Sequence, residues 1–560
     1  MVRTILKSLT APVRGLHQAA YLLAGLTLAS QILALLRDRL FAHQFGAGMT
    51  LDIYYAAFKV PDLVFALVAS LVSAYVLIPR IAGASREDTR RLLSHTASFL
   101  FIGGGLLCLA LAYFAPVLLS ALFPSLMTGG DGTAFVTLTR ILLIQPILLG
   151  LSGIVTSVTQ VRRRFLLFAL SPVLYNLGII AGAYFLYPTY GLSGIGYGVI
   201  AGAVLHLLIH IPLLAQAGVL PYPVIPKLSI IMDVAKDSVP RSLALGMGAV
   251  SALALAALAA ASGEGSVAVF TLASNLQAVP LSLVGASYAT AAFPVLAEHM
   301  NAKRYEEFKV TLSAAARHII FWSAIISVLL LVLRAHAVRI IYGTGAFDWD
   351  ATRLTAAVLA ILVLGLIAQG LVLLCSRAFY AAGKSWNPLL IQAGGAVLSV
   401  LAAGGLLYLI AAYPALRYFL EALLRVEDVP GTGILAIAIG AAFGQVMMAV
   451  IALVTLRDVA GGVARSLARS LFEGLAAAIL GGAAAYGVLS FTGNIAPLTT
   501  LLVVFAEAAL AGIVGLLVAG AVLALLENRE FRDLIETLKK LTSTKALKPH
   551  GQVLNDRPDS

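Results

Sequence analysis

The chain has 560 residues, 60% of them hydrophobic and 11% charged, with a mean hydropathy of +0.97. A soluble globular domain carries about 25% charged residues, so these values exclude one and point to a polytopic membrane protein. The formal charge of +12 would suit a nucleic-acid binder by its sum. It is concentrated in alternate loops between apolar runs, however, which makes it a topological signal and argues against nucleic acid.

Met1 to Gly15 is basic but has no apolar stretch followed by a cleavage site, so no signal peptide is expected. Fourteen apolar runs follow, at residues 19–45, 51–79, 92–123, 134–161, 165–187, 190–215, 238–262, 266–297, 310–342, 354–382, 387–413, 431–456, 466–491 and 497–526. Each is long enough to cross about 30 Å of hydrocarbon as a helix, which needs about 20 residues. Basic residues gather on one side: Arg3, Lys7 and Arg14; Arg80 to Arg91; Arg162 to Arg164; Lys227 to Arg241; Lys303 to Lys309; Arg377 and Lys384; Arg457 to Arg469; and the tail from Arg529 to Arg557. The opposite loops hold only Arg334, Arg339, Arg353, Arg417 and Arg425. The positive-inside rule then makes the basic side cytoplasmic, with both termini inside and an even number of spans.

The first two spans carry ionised residues well inside their apolar length: Arg37-Asp38 in the first, Asp52 and Lys59 in the second, with Gly46-Ala47-Gly48 as the turn between. Arg37 and Lys59 are equally far from that turn, so both should lie roughly 15 Å below the outer surface at 1.5 Å per residue. Asp52 and Lys59, seven residues apart, share a helix face but cannot pair directly. A charge within a span costs at least a few kcal/mol and usually faces a bundle interior or a hydrated cavity. The cluster is read as a net-positive cavity wall; an ion-pair network that only fixes packing is the alternative.

Six spans fill residues 1–217, and the Pro-rich stretch Gly218–Lys227 opens a linker at 218–237 that cannot be helical throughout. Six more spans fill 238–457, two extra ones 458–527, and residues 528–560 form a cytoplasmic tail with no span. Arg163-Arg164-Phe165 before Ser171-Pro172-Val173-Leu174-Tyr175-Asn176 is echoed by Arg377-Ala378-Phe379-Tyr380 before Trp386-Asn387-Pro388. The expected fold is therefore an all-α polytopic membrane protein of about 14 transmembrane helices. It comprises two pseudo-symmetric six-helix lobes plus two C-terminal helices, with a midplane site between the lobes. Residues 414–430 read as an inserted surface helix of mixed charge.

The sequence carries no enzyme constellation: no metal-ligand spacing among the histidines and no phosphate-cradling loop. No cofactor is expected, and a coupling ion stays open. Cys108 and Cys375 lie in apolar runs and read as packing residues. His206 and His210 could ligate a metal at i, i+4, but packing is favoured. Glu473 is expected at the surface, Glu507 deep enough to need a partner or a proton, and Arg140 either snorkelling or facing a cavity.

Arg37-Asp38, Phe45-Gly46-Ala47-Gly48, Asp52 and Ala57-Phe58-Lys59-Val60-Pro61-Asp62 together resemble the first two helices of the MurJ/MviN family, lipid II flippases of the MOP exporter superfamily. Arg164-Phe165 with Pro172–Gly178, Phe293-Pro294, Tyr342–Phe347 and Phe379–Lys384 extend the resemblance from about residue 20 to residue 456. The resemblance implies a non-enzymatic transporter of the cytoplasmic (inner) membrane that serves peptidoglycan synthesis and cell shape. It would flip polyprenyl-linked lipid II by alternating access, among membrane lipids and cell-wall synthesis proteins as partners. Arg37 with Lys59 would bind pyrophosphate, Asp38 and Asp52 would orient these cations and gate the external side, and spans 13 and 14 would form a groove for the polyprenyl tail.

The chain departs from the family where cavity arginines usually stand. It has Gln31, Phe65-Ala66 and Asn275 at those places, and Ser70-Leu71 for a Glu-Gly pair. Gln31 and Asn275 remain substrate-binding candidates by position. Arginine's planar fork suits phosphate, so these departures weaken pyrophosphate recognition. They leave open a divergent MOP exporter of another lipid-linked oligosaccharide, or a non-transporting membrane scaffold. A cation exporter is disfavoured by Arg37 and Lys59, and spans 11 and 12 contain no acidic residue for a sodium site.

Overall fold

The structure, a computed structural model, describes residues 16–72, 74–128, 131–457, 461, 463–492 and 500–542. The basic residues of Met1–Gly15 and those after Thr542 lie outside the described residues. All regular structure among the described residues is helical. Eleven helices are long and apolar enough to cross a membrane by themselves, and two bent pairs qualify together.

In chain order the helices of the first half are α1 (Leu16–Phe45), α2 (Met49–Leu67, continued after a break as Ala69–Ile81), α3 (Arg86–Leu122), α4 (Gly132–Val161), α5 (Leu166–Tyr190) and α6 (Leu192–Ala217). The second half comprises α7 (Leu228–Ala261), α8 (Ser266–Asn301), α9 (Tyr305–Val332), α10 (Arg334–Tyr342), the bent α11 (Trp349–Val363 and Leu366–Ala381), α12 (Trp386–Ala412), α13 (Pro414–Leu424) and α14 (Ile434–Thr455). The chain closes with α15 (Val463–Thr492), α16 (Leu501–Leu525) and α17 (Arg529–Thr542). The run expected at 310–342 is two helices joined at Leu333, and α11 bends by 47° at its break, so a count of fourteen straight spans is approximate.

Helix ends follow capping chemistry. Ser85 accepts from Asp88 N at the start of α3, and Asp348 accepts from Ala351 N at the start of α11. Inside each half, the last two long helices approach through small residues. A Cβ on Gly178 of α5 would lie 2.4 Å from Gly202 Cα, and one on Gly440 of α14 would lie 2.4 Å from Ala403 N of α12. Small residues four apart permit this backbone-to-backbone packing, a common device in membranes where apolar burial drives little association. Close packing of this kind occurs in both halves.

The linker from Gly218 is extended and strapped to α3. Tyr222 N and Val224 N donate to Ser94 Oγ and Ser98 Oγ at 3.0 and 3.1 Å, and Arg90 lies 4.7 Å from the Tyr222 ring centre. The helices α15 and α16 pack on each other and on α9, burying Phe321, Ile325, Ala477, Ala519 and Leu523 as a separate apolar cluster.

One sequence expectation is corrected here, and the other singled-out residues find their partners. Glu473 is not at the surface: it is 7% exposed and accepts from Arg469 Nε and from Asn528 Nδ2. The tail has order close to the membrane, because Asn528 caps α17 through Phe531 N and Glu530 pairs with Arg317 of α9 at 2.7 Å. His210 is fully buried and shared by Thr156 and Thr159, while His206 meets Ser152. Both serve α4–α6 packing. Glu507 lies 3.5 Å from His336 of α10.

Candidate functional site

The charged residues of α1 stand at the seam between the halves, and their immediate partners come from three helices. Arg37 Nε and Nη2 donate to Asp38 Oδ1 at 3.0 and 2.8 Å. Arg37 Nη1 donates to Asn176 Oδ1 of α5 at 3.2 Å. On the other side, Asn275 of α8 donates through Nδ2 to Asp38 Oδ2 at 2.8 Å. Asp38, 1% exposed, is thus the shared acceptor that ties the first half to the second, while Arg37 keeps 18% of its side chain accessible. A guanidinium has five N–H donors; the hydrogen bonds of Arg37 engage three, leaving two for an incoming anion.

The local sequence of α5 explains how Asn176 comes to hold Arg37. Pro172 has no N–H to give to the carbonyl four residues back, and Ser171 Oγ satisfies Phe168 O instead, at 2.8 Å. Asn176 Nδ2 then donates to Pro172 O at 3.0 Å, which turns its carbonyl oxygen toward Arg37. Tyr54 and Tyr55 flank the arginine, and the buried Tyr55 hydroxyl has no hydrogen-bond partner among the described residues.

Asp52 acts elsewhere than expected. It is fully buried and accepts from Gly265 N and Ala268 N, both at 2.7 Å, so it closes the first turn of α8 rather than orienting Arg37 or Lys59. A carboxylate there satisfies orphan N–H groups and meets the positive end of the helix dipole. The exchange is reciprocal, since Glu264 Oε1 accepts from Met49 N at 3.1 Å. Nearby, Ala346 N donates to His43 O at 2.9 Å, and Arg39 Nη1 donates to Ile341 O at 3.0 Å. Glycine is required at two of these contacts: a Cβ on Gly46 would lie 2.6 Å from Ala346 O, and one on Gly265 would lie 2.1 Å from Ala47 O. Phe41, Tyr54 and Phe58 fill the space behind with edge-on ring contacts. Together these contacts bolt the halves shut at the end opposite the basic loops.

Lys59 and Gln31 are not brought into the cluster. Lys59 lies on α2 and makes no hydrogen bond or ion pair among the described residues; Asp62, three residues on, is the carboxylate acting on it. Gln31 is half-buried on α1 and likewise makes no side-chain hydrogen bond among the described residues. Two features escaped the sequence reading. Asn176 stood in a quoted motif without a role, because its partner is 139 residues away. In the second half a cavity of about 270 Å³ is lined by Gln277, Gln369, Gln392 and Gln445 with Ser251 and Ser274 and, among the described residues, by no carboxylate. Its only sequence signal was glutamine recurring inside apolar runs.

Two six-helix halves that meet at a polar cluster on their seam give the chain the plan of a two-lobed polytopic membrane protein. The fold agrees with a solved lipid II flippase MurJ in an inward closed conformation (TM-score 0.72, 19% identity, covering 92% of this chain and all of that one). It also agrees with an inward-facing MATE-family multidrug transporter of the MOP superfamily (TM-score 0.63, 16% identity, 78% and 96% covered). The sequence narrows the class further. The family model described as lipid II flippase MurJ matches residues 41–506. The lipid II flippase MurJ of Burkholderia cenocepacia is 26% identical over 69% of this chain and 77% of its own length. A probable lipid II flippase MurJ of Thermotoga maritima is 25% identical over 65% and 73%. The chain belongs to the MurJ family.

Proposed function

We propose that this chain flips lipid II, a polyprenyl-pyrophosphate-linked cell-wall precursor, from the inner to the outer leaflet of the cytoplasmic membrane. Both termini and the basic loops face the cytoplasm, no covalent chemistry is involved, and no cofactor is assigned. The observation that carries the reading is Arg37, held by Asp38 and Asn176 with two donors unengaged at the seam that must open and close.

The geometry supplies a way to couple binding to movement. A pyrophosphate oxygen arriving at Arg37 competes with Asp38 for the guanidinium. Rotation of Arg37 toward the phosphate leaves intact the bond across the seam from Asn275 to Asp38 but takes the positive charge away from that carboxylate, so the closed seam then buries an uncompensated charge and is destabilised. The Asp52 bolt would then break as the far end opens. Substrate can drive this only if it binds the two states unequally, and the competition at Arg37 is such a difference. The headgroup passes between the halves while the polyprenyl tail stays in lipid beside α15 and α16. Cell-wall synthesis proteins are the expected partners.

Expression in a strain depleted of its own lipid II flippase tests the reading: growth should be restored by the wild type and not by Arg37→Ala. A second reading, a MOP exporter of another lipid-linked oligosaccharide, draws on the single arginine in the cluster, where Asn275 and Phe65 take the places of others. Failure to restore growth, together with binding of a different polyprenyl-pyrophosphate sugar in preference to lipid II, would favour it.

A further inference from the structure

A long apolar groove runs down the outer face of the first half between α3 and α4. One cleft, of about 400 Å³, is walled by Phe101, Ile102, Leu106, Leu109 and Ile147, with Arg140 at its edge. A second, of about 440 Å³, is walled by Phe101, Ile102 and Leu151 and closed by Tyr222 and Val224 of the strapped linker. The two share Phe101 and Ile102 and so adjoin end to end.

The sequence explains why the groove exists. α3 widens into a π turn over Leu100–Gly104, and Gly103, Gly104 and Gly105 remove side chains from that stretch. A Cβ on Gly105 would meet nothing nearer than Ile147 Cδ1 at 4.0 Å. The groove faces lipid rather than protein, since Phe101, Leu106 and Leu109 are 64%, 63% and 69% exposed.

Two observations specify its occupant. Ala97 and Ala112, at opposite ends of the groove, are separated by about 22 Å at 1.5 Å per residue. One leaflet is only about 15 Å deep, half of a hydrocarbon core of about 30 Å, so a chain filling the groove continues past the midplane, where the acyl chains of a phospholipid packed in its own leaflet end. The second is Arg140, two turns into α4 on the side away from the basic loops. Its Nε donates to Ala112 O at 2.9 Å, and its other donors have no partner among the described residues. A guanidinium at an apolar, lipid-facing groove calls for an anion, and its planar fork matches phosphate.

We propose that this groove binds a polyprenyl phosphate, its chain lying along α3 past Phe101 and Ile102 and its phosphate on Arg140. The site is separate from the Arg37 seam. It rests on the reading of the chain as a carrier of polyprenyl-linked precursor, because it assigns a second place to the same class of carrier lipid.

The test uses the full chain in phosphatidylcholine nanodiscs with a diazirine-bearing polyprenyl phosphate, mapping photolabelled peptides by mass spectrometry. Label is expected within residues 97–112 and 140–151. It should fall by about fivefold or more in Gly105→Phe, which fills the groove, and in Arg140→Gln, which removes the anion partner, and should survive about a tenfold excess of phosphatidylglycerol. Label elsewhere, label unchanged in Arg140→Gln, or full displacement by phosphatidylglycerol overturns the proposal. Lipid II binding on the same preparation separates the two readings. Lipid II bound without groove label sinks the groove alone, whereas groove label without lipid II binding leaves the groove standing and sinks the transport reading.

Discussion

Asp38 receives three hydrogen bonds from Arg37 and Asn275, and so holds both the cation of the seam and the seam itself. Asn275 stands where an arginine is usual in the family, and it already reaches the carboxylate. Asn275→Arg should keep a donor to Asp38 and add a guanidinium, raising lipid II affinity by about tenfold in a detergent titration. Gln31→Arg should do less, because Gln31 makes no side-chain hydrogen bond to that cluster. Asp52 belongs to the opposite end of the same seam. Asp52→Asn replaces a charge-assisted acceptor of two backbone N–H groups with an amide, at a loss of about 1.5–3 kcal/mol. A cysteine at Ala47 should then react faster with an impermeant thiol reagent; an unchanged rate would mean that Asp52 does not hold the far end closed.

The helices α15 and α16 cover the α9 face that carries Phe321 and Ile325, and Gly481 and Gly482 bring α15 against Gly515 and Val328. Ending the chain after Arg457 should leave a membrane-inserted protein with impaired flipping, read by fluorescence-detected chromatography and by transport. Full activity in that truncation would remove any role for the pair in handling the lipid tail. At this scale the sequence was informative, since runs of apolar residues some twenty long locate membrane helices almost by themselves. Contacts across the seam were not legible. Asp52 reads as one more cavity charge until the first turn of α8 is placed 213 residues along the chain. Glu473 reads as a surface residue until Asn528 folds back onto it. Lys59 misled in the opposite way, because its matched distance from the turn gives a depth and not the partners that packing supplies, and the carboxylate acting on it is Asp62 of its own helix. Depth follows from local geometry, whereas partners follow from tertiary packing.

For the molecule as a whole, alternate basic loops fix an orientation that labelling can check. Cysteines introduced at Asp428 and Tyr190 should react with an impermeant thiol reagent from outside, and cysteines at Ala84 and Ala302 should not. The reverse pattern would overturn the assignment of both termini to the cytoplasm. The transport reading itself turns on whether Arg37 serves a substrate or only its neighbour. Removing one partner of a buried pair costs about 3–5 kcal/mol, so Arg37→Ala should lower abundance by stranding Asp38, and Arg37→Ala/Asp38→Ala should recover it. The most direct measurement is therefore lipid II flipping in proteoliposomes, normalised to folded protein, for the wild type, Arg37→Ala and the double variant. The account predicts that the double variant regains abundance while flipping stays abolished in both; flipping restored along with abundance would contradict it.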